Sequence, residues 1–212
     1  MNLSRRAGRA SPSARACGKP PNMRVMKNIL PIIAIIILAA GAFSQSKTND
    51  VIAKQIKALK AEKTFTLTYD KGTDMSKIMV TGDSFADAEA KKAGIQAMSF
   101  GMAVFYQGQA LTAAADQIPI TFWVMSKKPQ FAASHKWVVM FGSELVDYGE
   151  GQYAARPPEN MEYLNFKISR QDLKSAASGG ELKFTLGPAE FHFTPEHLKL
   201  FNNLLKLTDP AQ

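Results

Sequence analysis

The chain has very little of what most hydrolases and metal proteins are built from. Of its 212 residues, one is a cysteine, Cys17, and three are histidines, His135, His192 and His197. A lone cysteine excludes an internal disulfide and any thiolate metal cage. Arginine is almost absent beyond residue 24, where only Arg156 and Arg170 occur, and no acid precedes Asp50. Glycine-rich phosphate loops are missing: Gly179-Gly180 follows a helical stretch instead of opening one, so it offers no helix N-terminus to a phosphate. A spanning helix needs about 20 apolar residues, whereas the apolar run at 29–43 has 15 and contains Pro31.

That run reads as the h-region of a secretory signal. Arg24 and Lys27 precede it and Ala42-Phe43-Ser44 follows, with small residues where a signal peptidase would cut before Gln45. Residues 1–22 are rich in Arg, Ser and Ala, as transit peptides are, and are read as an extra leader or a start codon placed too early. The expected organisation is a 23–44 signal peptide and one exported globular domain over 45–212, in the periplasm or outside the cell. The membrane would be a partner only through a leader that stayed uncleaved.

The leader also accounts for the basic balance. The formal charge is +8, but seven cations lie before residue 28 and all 18 acids after residue 49. The remaining 19 bases and 18 acids leave +1, so no nucleic-acid partner is expected.

Past the leader, period-two alternation dominates. Strands are expected at 64–69, 77–80, 95–106, 120–125, 136–141, 145–148 and 163–168, and a hairpin pairs Leu182, Phe184 and Leu186 with Phe191 and Phe193. Met98, Phe100, Met102 and Val104 alternate with small residues, as a core strand requires. Helices are expected at 49–60, after Ser84 through an S-x-x-D box with Asp87, after Ser169, and at the C-terminus. Short turns make neighbouring strands antiparallel. The fold class is therefore α+β: a β-rich antiparallel sheet or sandwich with short helices, including a C-terminal helix packed on the sheet.

Three stretches could carry chemistry. EFHFTPEH, 190–197, offers Glu190, His192 and His197 as metal ligands in an H-x-x-x-E-H string, one residue longer than the H-x-x-E-H of inverzincins. Helix initiation explains much of it without a metal: Thr194 suits the N-cap, Pro195 the first helical position and Glu196 the positive helix end. The stretch 147–160, DYGEGQYAARPPEN, reads as a long loop whose Asp147, Tyr148, Tyr153, Arg156 and Glu159 suit ligand recognition. IMVTGDSFAD, 78–87, resembles the first block of the GDSL hydrolases. That resemblance implies Ser84 as a nucleophile activated by a histidine on a parallel α/β fold. It covers about ten residues, and the family's D-x-x-H and G-x-N-D blocks have no counterpart here.

The function expected is a non-enzymatic binding or interaction module of the bacterial envelope. It would need no cofactor and would recognise a protein or a small ligand. The alternative is a secreted hydrolase using Ser84 or a His192/His197 metal centre.

Overall fold

The computed structural model describes residues 46–211, except positions 86, 157–159 and 181. The leader, Cys17 and Glu159 lie outside the described residues. In order, the chain forms β1 (Lys47–Thr48), α1 (Asn49–Ala58), β2 (Phe65–Asp70), β3 (Met75–Thr81), α2 (Asp87–Lys92), β4 (Ile95–Gln107), β5 (Ala110–Leu111) and β6 (Gln117–Ser126). It continues as β7 (Lys136–Phe141), β8 (Glu144–Glu150), β9 (Gln152–Arg156), β10 (Met161–Ser169), α3 (Arg170–Ser178), β11 (Leu182–Leu186), β12 (Ala189–Phe193) and α4 (Pro195–Leu207).

The result is a sheet-rich α+β fold with the C-terminal helix packed on the sheets. Every pairing is antiparallel. A six-stranded sheet runs β2-β3-β4-β6-β10-β9, a four-stranded sheet runs β12-β11-β7-β8, and β1 pairs with β5. Pro119 sits within β6, an inner strand, where a missing N–H would normally break a ladder. It is tolerated because β4 pairs with β6 only as far as Ile120, leaving Pro119 opposite Lys167 of β10 alone.

Alternation decides what each sheet buries. On the inner side of the large sheet, Phe65, Val80, Met102, Ile120 and Phe166 form one cross-strand row, and Phe100, Phe122 and Leu164 another. Phe122 stacks on Phe184 of β11 at 5.6 Å between centroids, which joins the two sheets. Phe201 of α4 packs edge-on to Phe100 and Phe193 at 5.6 and 5.0 Å. Tilted and edge-to-face contacts of this kind add to the area they bury.

The C-terminal end of α4 is held by two buried cations. Lys47, 2 % exposed, donates through Nζ to the Lys206 carbonyl at 2.8 Å. Arg170 donates to the Leu205 carbonyl and to Thr208 Oγ1, both at 2.9 Å. Cations suit the negative helix end, whose last carbonyls lack partners within the helix. Burial pulls both groups below their ordinary pKa.

Two local expectations are corrected. The helix after Ser84 starts later than the S-x-x-D spacing implies: α2 begins at Asp87, so Ser84 stands two places before the N-cap position. Over 147–156 the stretch 147–160 is not a loop: these residues are the end of β8 and the whole of β9, with Gly151 between them as the chain passes from one sheet to the other. Gly149, at φ +73°, belongs to a bulge: Tyr148 and Gly149 together oppose Trp137 between the pairs Lys136–Glu150 and Val138–Asp147. At Gly151 a Cβ would meet Phe166 Cζ at 2.5 Å and the Asn165 carbonyl at 2.9 Å, so only glycine fits the crossing. Among the described residues no helix is long and apolar enough to cross a membrane.

Candidate functional site

The structure brings the GDS stretch to the last histidine. Ser169 and Thr194 both cap helices as their neighbours dictate: Ser169 accepts from Asp172 N at 3.0 Å, and Thr194 accepts from His197 N at 3.4 Å. His197 returns the bond, its Nδ1 accepting from Thr194 N at 3.2 Å, which closes a capping box with histidine at the N3 position. The ring also hydrogen-bonds the backbone of Asp83. Because Nδ1 is an acceptor, the donor to Asp83 is Nε2–H. The imidazole is 2 % exposed and packed among Phe85, Phe100 and Phe193 at 5.0–6.1 Å. Burial lowers its pKa, against the raising influence of Asp83 and Glu196.

Ser84 is exposed, and the His197 ring interacts with the main chain of Thr194 and Asp83. Glu190 and His192 occupy the outward side of β12, while Phe191, Phe193 and His197 are buried. Glu190 and His192 line an open groove of about 430 Å³ with Lys92, Ala93, Pro188 and Ala189. Among the described residues no group of three or more His, Cys, Asp or Glu could hold a metal ion.

The residues of 147–156 disperse. Asp147 pairs with Lys136 at 2.6 Å, which holds the carboxyl below and the ammonium above their ordinary pKa. Tyr148 stacks on buried Trp137 at 4.3 Å and donates to Asp172 Oδ2 at 3.0 Å; burial, then Asp172, raises its pKa. Tyr153 stacks on His135 and donates to Glu162 Oε1 at 3.1 Å. Glu162, itself buried, accepts from the N–H groups of Gln130 and Phe131 at 2.9 Å each, pinning the 127–135 connection. Arg156 lies over the Tyr163 ring at 5.2 Å. Beside it is a recess of about 90 Å³, lined mainly by apolar atoms and too small for most ligands.

A different surface unites Arg156 with the rest of its sheet. The outward side of the six-stranded sheet carries the cross-strand rows Ala97–Met125–Met161–Arg156, Ser99–Trp123–Tyr163–Ala154, Thr81–Gly101–Thr121–Asn165–Gln152 and Thr68–Lys77–Phe105. Along β2, β3, β4, β6, β9 and β10 the only buried residue on that side is Gly101. Phe105 and Met125 stay 52 % and 42 % exposed. The charged residues there are Lys77, Lys167, Arg156 and, at the hairpin end, Asp70, whose carboxylate is held by Gly72 N and Thr73 Oγ1. The outward side of the four-stranded sheet carries more charge, with Glu190, Asp147, Glu150, Lys183 and Lys136, but also Val138, Met140 and Leu145, the last 68 % exposed.

Sequence alternation alone missed this surface. The signal was present in the second set of positions on β4, β6 and β10, where Trp, Tyr, Met, Phe, Ala and Ser predominate and Lys167 is the one charge. Comparison with protein families, with curated proteins and with solved structures gives no match.

Proposed function

We propose that the chain is an exported, non-enzymatic binding module of the bacterial envelope, and that it holds its partner on the outward side of the six-stranded sheet. The observation that carries the reading is the composition of that side. An antiparallel sheet facing water normally alternates apolar-in with polar-out. Here two adjacent outward rows, Ala97–Met125–Met161 and Trp123–Tyr163–Ala154, are apolar or aromatic as well. Contiguous exposed apolar surface of this kind marks interaction sites, and Trp, Tyr and Met are the side chains such sites favour. Interaction of the His197 ring with the main chain of Thr194 and Asp83 supports binding over hydrolysis at Ser84.

Hydroxyl-radical footprinting tests it, because Met125, Trp123, Tyr163 and Phe105 are all readily oxidised reporters. Envelope extract from the host should protect these four and leave the outward residues of the four-stranded sheet unchanged. Protection confined to the second set would overturn the reading. Export is checked separately by the N-terminus of the mature protein, expected at or near Gln45. A full-length chain held in membranes through a high-salt wash would overturn cleavage.

A further inference from the structure

We infer that the open edge of the six-stranded sheet, strand β2, pairs with β2 of a second copy of this chain. The inference goes beyond the proposed function and stands without it. β2 is the outermost strand, with β3 as its neighbour. The β2–β3 ladder decides which main-chain groups are left over. Thr81 N donates to Thr64 O at 3.1 Å, so Thr64, Thr66 and Thr68 turn their main chain toward β3. Phe65, Leu67 and Tyr69 turn theirs the other way. Phe65 N is taken by the Ala61 carbonyl at 2.7 Å. Among the described residues, the N–H and C=O groups of Leu67 and Tyr69 and the carbonyl of Phe65 meet no main-chain partner.

The stretch is close to a palindrome. Thr66-Leu67-Thr68 is centred on Leu67, with Phe65 and Tyr69 at equal distances on either side. Antiparallel pairing about a two-fold axis at Leu67 sets Leu67 against the partner's Leu67. It sets Phe65 against the partner's Tyr69 and Thr66 against the partner's Thr68. Each Leu67 N–H then reaches the partner's Leu67 carbonyl, and each Tyr69 N–H the partner's Phe65 carbonyl. The bond that this register omits is the one from Phe65 N, which Ala61 already holds. Side chains agree with the main chain. Phe65 is buried, Leu67 and Tyr69 are half-buried on the same side, and Thr66 and Thr68 are exposed on the other. Aromatic and Thr–Thr cross-strand pairs both stabilise a sheet. No charge lies between Lys63 and Asp70 to oppose the approach.

The other sheet edges are less suited. β12 runs against α2. β8 carries Glu144, Asp147 and Glu150 and the bulge at Gly149, devices that keep an edge from pairing. β9 offers Ala154 and Ala155, which favour strands weakly. One pair of short strands is small beside the roughly 1,200–2,000 Å² of a stable interface, so the dimer should dissociate on dilution. The two-fold axis crosses the sheet, and the outward sides of both copies continue into one surface.

The test uses the purified protein expressed from the full chain. Sedimentation at rising concentration should show a monomer giving way to a dimer and to nothing larger. Leu67→Pro removes the central N–H, which faces away from β3, and so spares the ladder. It should weaken the dimer at least about tenfold. Cysteines read the register. Thr66→Cys alone meets the partner's Thr68, but mixed with Thr68→Cys it meets a thiol within disulfide reach. The mixture should therefore cross-link several-fold faster than either variant by itself. Wild type, whose one cysteine is Cys17, gives the background, and this arm holds even if Leu67→Pro fails to fold. A monomer at every concentration, or a folded Leu67→Pro protein with an undiminished dimer, overturns the pairing. So does a mixture that cross-links no faster than its components, or an open series of larger oligomers.

Discussion

Trp123 rests its benzo edge on Gly101 of the neighbouring strand, 2.4 Å from where a Cβ would stand. Two effects of Gly101→Ala then oppose each other. Alanine in a strand interior gains roughly 0.5–1 kcal/mol over glycine. The indole, which is only partly buried, must swing outward and lose its contact. The two should leave net stability within about 1 kcal/mol of wild type, while Trp emission moves to longer wavelength. A stable variant with unchanged emission would mean that the ring does not depend on Gly101.

Glu162 gives a second prediction. Its carboxylate accepts from Gln130 N, Phe131 N and Tyr153 OH, and Glu162→Gln turns an amide toward donors that need an acceptor. Hydrogen bonds to a charged group contribute about 1.5–3 kcal/mol, so a loss of that order is expected in denaturant unfolding. Trypsin should also cut faster at exposed Lys127 and Lys128 in the variant than in wild type. Unchanged stability and unchanged cleavage would show that the 127–135 segment holds itself.

His197 gives the third. Its folded pKa is depressed by burial, so the unfolded chain takes up the proton first as pH falls. The stability linked to neutral His197 is fully present above the unfolded value near 6.5 and is lost as pH falls below it. His197→Gln keeps a capping-box residue at N3 and removes the titration. Its stability should therefore vary less than wild type between pH 7 and 5, with Asp83 and Glu196 as the nearby carboxylates common to both. An identical slope in the two proteins would show that His197 is not the titrating group.

The core was readable because its pattern is strict. Met98, Phe100, Met102 and Val104 alternate without interruption, and all are buried as period two requires. The Ser169 and Thr194 caps were readable for the same reason, since each satisfies local N–H groups that no distant element can supply. What escaped was whatever depends on the partner strand. Gly149 and Gly151 look like loop glycines until β7 and Phe166 show one to be a bulge and the other a crossing. His197 reads as a candidate metal ligand until Phe85, distant in sequence, is seen packed against its ring at 5.0 Å. The outward surface escaped because alternation announces the buried side and is silent about which of two apolar sides stays open.

Lys47 has a consequence for the order of events in synthesis. Its ammonium is seated on the carbonyl of Lys206, so this contact cannot close until the final helix exists. A chain made from its N-terminus delivers those two partners 159 residues apart. The ammonium must therefore stay in water through almost the whole of synthesis, and its desolvation belongs to the last step of folding.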